Sequence, residues 1–235
     1  MTQSAQRAGA ALERLVDVIG QLRERCPWMG TLTHESLAEY LLEECYELLE
    51  VLEGPASVAE LRSELGDVLL QVVLHARLQE ESGSFALAEV IDGLTAKMIR
   101  RNAHVFTPDG GLRDVPASSI AEIEASWHSI KAQEQPDSTP FASIPAGLPA
   151  LAAAAKTLKR ARRNGTSGRE EGGVVEPSVE ADPASEDEVG RVLLAVVGRA
   201  VDAGLDPERA LRVAVRRYQD EHLARSGSAV PVVPK

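Results

Sequence analysis

The chain has 235 residues, of which 44% are hydrophobic, 26% charged and only 3% aromatic, with 25 Lys and Arg against 36 Asp and Glu for a formal charge of −11. A core built from Leu, Val and Ala with so few aromatics favours helices over a sandwich or barrel. The acidic balance argues against a nucleic-acid coat protein, because neutralising phosphates needs a basic footprint.

Two cysteines, Cys26 and Cys45, cannot build a disulfide framework and fit a reducing compartment. Met1 to Gly20 mixes Arg7, Glu13, Arg14 and Asp17 with its apolar residues, so it does not have the pattern of a secretory signal. Ser138 to Ala155, the longest uncharged stretch, is broken by Pro140, Pro145 and Pro149 and is no membrane span. The expectation is a soluble, cytoplasmic, mostly helical protein.

In chain order, Leu12, Leu15, Val16, Ile19 and Leu22 recur at helical spacing and predict a helix over Ala5 to Arg25, ended by the turn Cys26-Pro27-Trp28-Met29-Gly30. A second helix is expected from His34 to Glu53, with Thr33 as its N-cap and Gly54-Pro55 as its stop. A third follows the cap Ser57 and runs to about Glu81, a fourth covers Phe85 to Asn102, and others are expected over Ala117 to Gln135 and Leu148 to Arg163. The composition then shifts: Lys156 to Arg169 holds six basic residues and no acidic one, and Glu170 to Glu188 holds eight acidic residues and no basic one. Residues 164–185 are expected to be a flexible charged linker. Helices over Glu186 to Ala203 and Pro207 to Leu223 follow, with a disordered tail over 224–235.

One internal similarity stands out. Glu64 to Val73 (ELGDVLLQVV) resembles Glu188 to Val197 (EVGRVLLAVV), preserving the Glu-x-Gly spacing but replacing Asp67 by Arg191.

The strongest chemical signal is Glu43-Glu44-x-x-Glu47 followed by Glu64-x-x-Asp67. At 100° per residue, Leu37, Tyr40, Leu41, Leu48, Val51 and Leu52 form the apolar stripe of the second helix, with Glu44 near its middle and Glu47 at its edge. In the third helix Leu61, Leu65, Val68 and Val72 mark the expected buried side, bordered by Glu64 and Asp67. A carboxylate facing a core is costly unless it is paired or binds a cation. Two pairs one turn apart, on helices joined by a short Gly-Pro connection, can converge on one ion. An oxygen-only, strongly anionic set suits Mg²⁺, with Mn²⁺ as a substitute, rather than zinc. The competing reading is a solvated acidic face, which suits Glu39, Glu50 and Glu53 but not Glu44.

Divalent ions would let such a pocket accept a polyphosphate. Lys97, Arg100 and Arg101 share one side of a helix end and suit a phosphate clamp, or else cations complementing the macrodipole. Trp28 fits base stacking or loop anchoring equally, and His34 fits polar lining or an ordinary first-turn residue.

Taken together these residues resemble the MazG family of nucleoside triphosphate pyrophosphohydrolases. The likeness extends from the carboxylate motif through Cys26-Pro27-Trp28, Thr33 to Leu37, Lys97 to Phe106, Trp127 to Lys131, Leu148 to Leu151 and Gly204 to Leu211. It implies an all-α catalytic bundle over 1–135, a connecting helical segment over 136–163 and a truncated, degenerate second repeat over 186–223. It also implies that Glu44, Glu47, Glu64 and Asp67 hold the metal, with Glu43 completing the catalytic set, and that Lys97, Arg100, Arg101, Trp28 and His34 contact substrate. The reaction implied is hydrolysis of an NTP or dNTP to the monophosphate and pyrophosphate, by a homodimer or higher oligomer whose contact the third helix would supply through Leu69, Leu70 and Val73. Two positions depart from the family pattern: Met29 replaces a frequent Asp and Leu32 a frequent Gln, which bears on base recognition by that loop. Arg191 implies that the second repeat is inactive. Outside that class, a nucleotide-binding regulatory protein without turnover and a structural helical adaptor are the alternatives.

Overall fold

A computed structural model describes residues 2–114, 119–134, 139–163 and 185–226; the linker expectation up to residue 184 and the tail expectation from residue 227 lie outside them, while residues 224–226, expected in the tail, continue the last helix. Nine helices run in order among the described residues: α1 (Gln3–Arg25), α2 (Pro27–Gly30), α3 (His34–Glu53), α4 (Val58–Glu81), α5 (Leu87–Arg101), α6 (Ile120–Gln133), α7 (Ala150–Arg163), α8 (Glu186–Asp202) and α9 (Pro207–Ser226). No described residue lies in a strand, and the one β contact is an isolated bridge between Phe106 and Leu112. No described helix is long and apolar enough to cross a membrane. The all-α expectation holds. The Cys-Pro-Trp turn proves to be the short helix α2, with Pro27 at its first position, where the missing N–H costs nothing.

The helix starts follow from side-chain capping. Thr33 accepts from the backbone N–H of Ser36 while Ser36 returns a bond to the Thr33 N–H. Ser57 and Glu60 make the same reciprocal box at the start of α4.

The chain divides into two compact units, Met1–Glu134 and Gln135–Lys235. In the first, α3 and α4 pack antiparallel and most extensively, with α1 and α5 against α4 and α6 against α5. Ile19, Met29, Leu32, Leu37, Val73 and Leu74 form its core, backed by Leu15, Val16, Cys26, Leu70, Leu78 and Leu87. Met29 and Leu32, the two departures from the family pattern, are therefore core residues of the loop between α1 and α3.

Along α3, Leu37, Leu41, Glu44, Leu48 and Val51 are buried or half-buried, at alternating spacings of four and three; along α4, Leu61, Glu64, Asp67, Val68, Gln71, Leu74 and Leu78 are. This corrects the expected phase of α4. Leu65 and Val72 are 52% and 42% exposed, and the carboxylates themselves occupy the seam with α3. The expectation failed because α4 is apolar on two sides, so periodicity alone does not choose between them. The expected dimer face is corrected likewise. Val73 is 2% exposed and belongs to the core, Leu70 packs against it, and only Leu69 is exposed.

In the second unit α7, α8 and α9 pack pairwise. Val197, at 1% exposure, holds the place in α8 that Val73 holds in α4, which the internal similarity pairs. Arg191, in the place of Asp67, is exposed and paired with Asp187 one turn back at 3.2 Å.

Candidate metal centre

The α3–α4 seam has two chemically different halves. At the end where α3 begins, Leu37 meets the buried part of α4. Towards the Gly54-Pro55 connection, Glu44, Glu47 and Glu64 each offer a carboxylate oxygen, and these oxygens all lie within 4.8 Å of one another. All three are half-buried. Desolvation raises the pKa of Glu44, and the negative charges of Asp67, Glu47, Glu43 and Glu64 raise it further. Asp67 and Glu43 thus belong to the same electrostatic cluster, with Asp67 half-buried and Glu43 exposed. The donor set is oxygen-only and its like charges are crowded, an arrangement that a hard divalent cation relieves. The residues therefore fit a Mg²⁺-type ion.

Two polar residues that sequence reasoning missed continue this stripe of α4. Gln71, one turn past Asp67, is 3% exposed and its Oε1 has no hydrogen-bond partner. His75, a turn further, faces His34, with rings nearly parallel and centroids 5.0 Å apart. The Gln79 amide nitrogen lies 2.6 Å from His34 Nε2, and the two Nδ1 atoms of the histidines are 2.7 Å apart. The Gln79 amide donates, so His34 accepts at Nε2, donates from Nδ1 to His75 Nδ1, and leaves the His75 proton on Nε2. That buried Nε2 has no partner. Desolvation and the nearby His34 both lower the His75 pKa, keeping the ring neutral. The signal for both residues was their spacing from Asp67, hidden by the wrong phase for α4.

Two of the expected substrate residues, His34 and Trp28, lie apart from the carboxylates. His34 meets α4 at His75, eight residues past Asp67, or about 12 Å of helix. Trp28 is 63% exposed, so it is no buried anchor. Its loop is fixed instead by Arg23, which donates to the carbonyls of Met29 and Leu32 and forks onto Glu81 through Nε (3.1 Å) and Nη2 (2.7 Å). Glu81 lies about 21 Å along α4 beyond Asp67. Within one chain the structure does not bring Trp28 beside the carboxylates.

Lys97 is half-buried on α5, one turn before Arg101. Arg100 and Arg101 both bind Glu134, the C-cap residue of α6, and Arg101 lies over the Trp127 ring with 4.9 Å to its centroid. Lys131 approaches the same ring at 5.6 Å. Trp127, Lys131 and Glu134 are thus further members of the basic cluster; Trp127 and Lys131 stand at the one-turn spacing that would have suggested it.

The fold and site define an all-α protein with an acidic, oxygen-only centre between two antiparallel helices. The model of the MazG nucleotide pyrophosphohydrolase domain matches residues 32–106, which span α3, α4 and α5. The nucleoside triphosphate pyrophosphohydrolase/pyrophosphatase MazG of Thermotoga maritima is 38% identical over 91% of this chain and 84% of its own length. The nucleoside triphosphate pyrophosphohydrolase of Escherichia coli is 32% identical over 88% and 84%, and an uncharacterised 26.1 kDa protein of Streptomyces cacaoi is 40% identical over 93% and 84%. The chain belongs to the MazG nucleotide pyrophosphohydrolase family and is an enzyme of that class.

Proposed function

We propose that the protein is a Mg²⁺-dependent nucleoside triphosphate pyrophosphohydrolase that converts an NTP or dNTP and water to the monophosphate and pyrophosphate by attack at the α-phosphorus. The observation that carries this reading is the set of three carboxylate oxygens within 4.8 Å in a half-buried helix seam. Glu44, Glu47, Glu64 and Asp67 would hold the ion, and Mn²⁺ fits the same donors. A bound ion of this kind lowers the pKa of coordinated water and offsets charge on the leaving pyrophosphate. Glu43, exposed beside the cluster, orients water. Lys97 and Arg101, with Arg100, take the phosphates and stabilise charge that develops on them. His34 and the exposed Trp28 would contact the nucleoside.

A homodimer fits the remaining surface. Leu65, Leu69 and Val72 on α4 and Val90, Ile91, Leu94 and Met98 on α5 are exposed apolar side chains at helical spacing, a pattern that a second copy would bury. The second unit, with Arg191 where α4 has Asp67, would pack without turnover.

The test is Mg²⁺-dependent hydrolysis of a panel of NTPs and dNTPs, with phosphate measured with and without added inorganic pyrophosphatase. Phosphate that appears only with pyrophosphatase, beside the monophosphate, supports the proposed cleavage. Phosphate without it would place the cut at the γ-phosphorus, and no product from any nucleotide would favour a binding role.

A further inference from the structure

Arg100 and Arg101, at the last turn of α5, direct the same edge of their guanidinium groups at one carboxylate. Arg100 donates to Glu134 Oε1 from Nε at 2.9 Å and from Nη2 at 2.5 Å. Arg101 donates from Nε to both oxygens, at 3.3 and 3.2 Å, and from Nη2 to Oε2. Glu134 is held down to about pH 2 in its titration by these hydrogen bonds, first that of Arg101 and then that of Arg100, so it is ionised wherever the enzyme works. A carboxylate held by two guanidinium forks offers the acceptor geometry of a phosphate group.

We infer that Glu134 is an internal stand-in for substrate phosphate, which the polyphosphate of the incoming nucleotide displaces from Arg100 and Arg101. The inference rests on the proposed role of these arginines as phosphate ligands. Two guanidinium charges against one carboxylate leave a net attraction for an anion of higher charge, so displacement is feasible while weak anions are rejected. Arg101 does not depend on Glu134 for its place, because the Trp127 face also holds it. Glu134 therefore sets the affinity for polyphosphate rather than the rate of the chemical step.

The experiment compares the full-length protein with Glu134→Gln, Glu134→Asp and Arg101→Ala. It uses calorimetric binding of inorganic tripolyphosphate in Mg²⁺ and steady-state hydrolysis of the best nucleotide. Glu134→Gln is expected to tighten tripolyphosphate binding and lower KM by about two- to fivefold, the range for a partly exposed ion pair, with kcat unchanged. Glu134→Asp, which keeps the charge, is expected to stay near the wild type. Unchanged or weaker binding in Glu134→Gln overturns the inference, as does a Glu134→Asp variant as tight as the glutamine one. Arg101→Ala separates the two layers. If it weakens tripolyphosphate binding while Glu134→Gln does not strengthen it, only the stand-in role fails. If Arg101→Ala leaves binding unchanged, the phosphate-clamp reading itself falls.

Discussion

Replacing Glu44 with glutamine removes one negative charge from the centre of the carboxylate cluster while keeping the side chain's size. Its oxygens and those of Glu47 and Glu64 lie within 4.8 Å, so each of the two pairs repels by about 0.9 kcal/mol at the dielectric of water. Screening at 0.15 M salt roughly halves that, leaving about 1 kcal/mol for the two pairs together. The metal-free Glu44→Gln protein is therefore expected to be more stable than the wild type, melting about 4 °C higher. The sign of the pH dependence follows from the raised pKa of Glu44. The folded state holds that proton at a pH where the unfolded chain has lost it, so wild-type stability falls as pH rises through the interval above the ordinary carboxylate value. The advantage of glutamine grows over the same interval. Saturating Mg²⁺ reverses the order, because an ion at about 100 times its Kd stabilises the wild type by about 2.7 kcal/mol and the variant by less. Thermal melts of both proteins in EDTA and in excess Mg²⁺ measure all four values. A variant that melts below the wild type in EDTA refutes the repulsion argument, and one that keeps the full Mg²⁺ shift removes Glu44 from the ligand set.

Glu47→Ala and Asp67→Ala are each expected to lose most turnover while the helical circular-dichroism signal stays; full activity in either shows that its carboxylate is no ligand. Arg23→Ala leaves the Met29 and Leu32 carbonyls and Glu81 without this donor, from a side chain only 7% exposed, and should cost about 2–3 kcal/mol in urea unfolding at pH 7. Glu81 has its pKa lowered chiefly by that arginine, so the stability it contributes is present above the ordinary carboxylate value and is lost as pH falls through its folded value. The Arg23→Ala protein should accordingly show a shallower loss of stability on acidification, and an acid limb as steep as the wild type's would contradict this. Thr33→Ala removes the capping hydroxyl of α3 and should lower stability by about 1 kcal/mol in the same urea titration, an unchanged midpoint meaning that the cap contributes nothing.

The helices were legible because their signals are local. Thr33 and Ser57 cap α3 and α4 where the sequence places them, and Gly54-Pro55 ends α3. The carboxylates were legible because Glu44 sits in an otherwise apolar stripe. What the sequence could not convey was which of two apolar sides of α4 faces α3, since Leu65, Leu69 and Val72 satisfy a helical period as well as Leu70, Val73 and Leu74 do. That choice is made by packing against α1 and α3, and with it went Gln71 and His75. The position of Trp28 was hidden for a different reason: it depends on Arg23 reaching Glu81 across 58 residues, a contact without any local sequence signature.

The α3–α4 pair divides into an apolar half and an acidic half along its own length. Near the start of α3, Leu37 packs with Val73 and Leu74 against Ile19, Met29 and Leu32, and the seam there is apolar. Near the connection between the helices the same seam positions carry Glu44, Glu64 and Asp67, with Gln71 between the two halves. Leucines at those positions would continue the apolar seam, so the acidic half is a local departure from the sequence that would stabilise the fold best. Capping boxes at Thr33 and Ser57 hold the two helix starts independently of the seam. The second unit supports the same division by contrast: α8 retains the buried valine, as Val197, but carries a solvent-facing arginine in place of Asp67. A helix can keep its packing residue and lose its carboxylate, because the two lie on different sides of it.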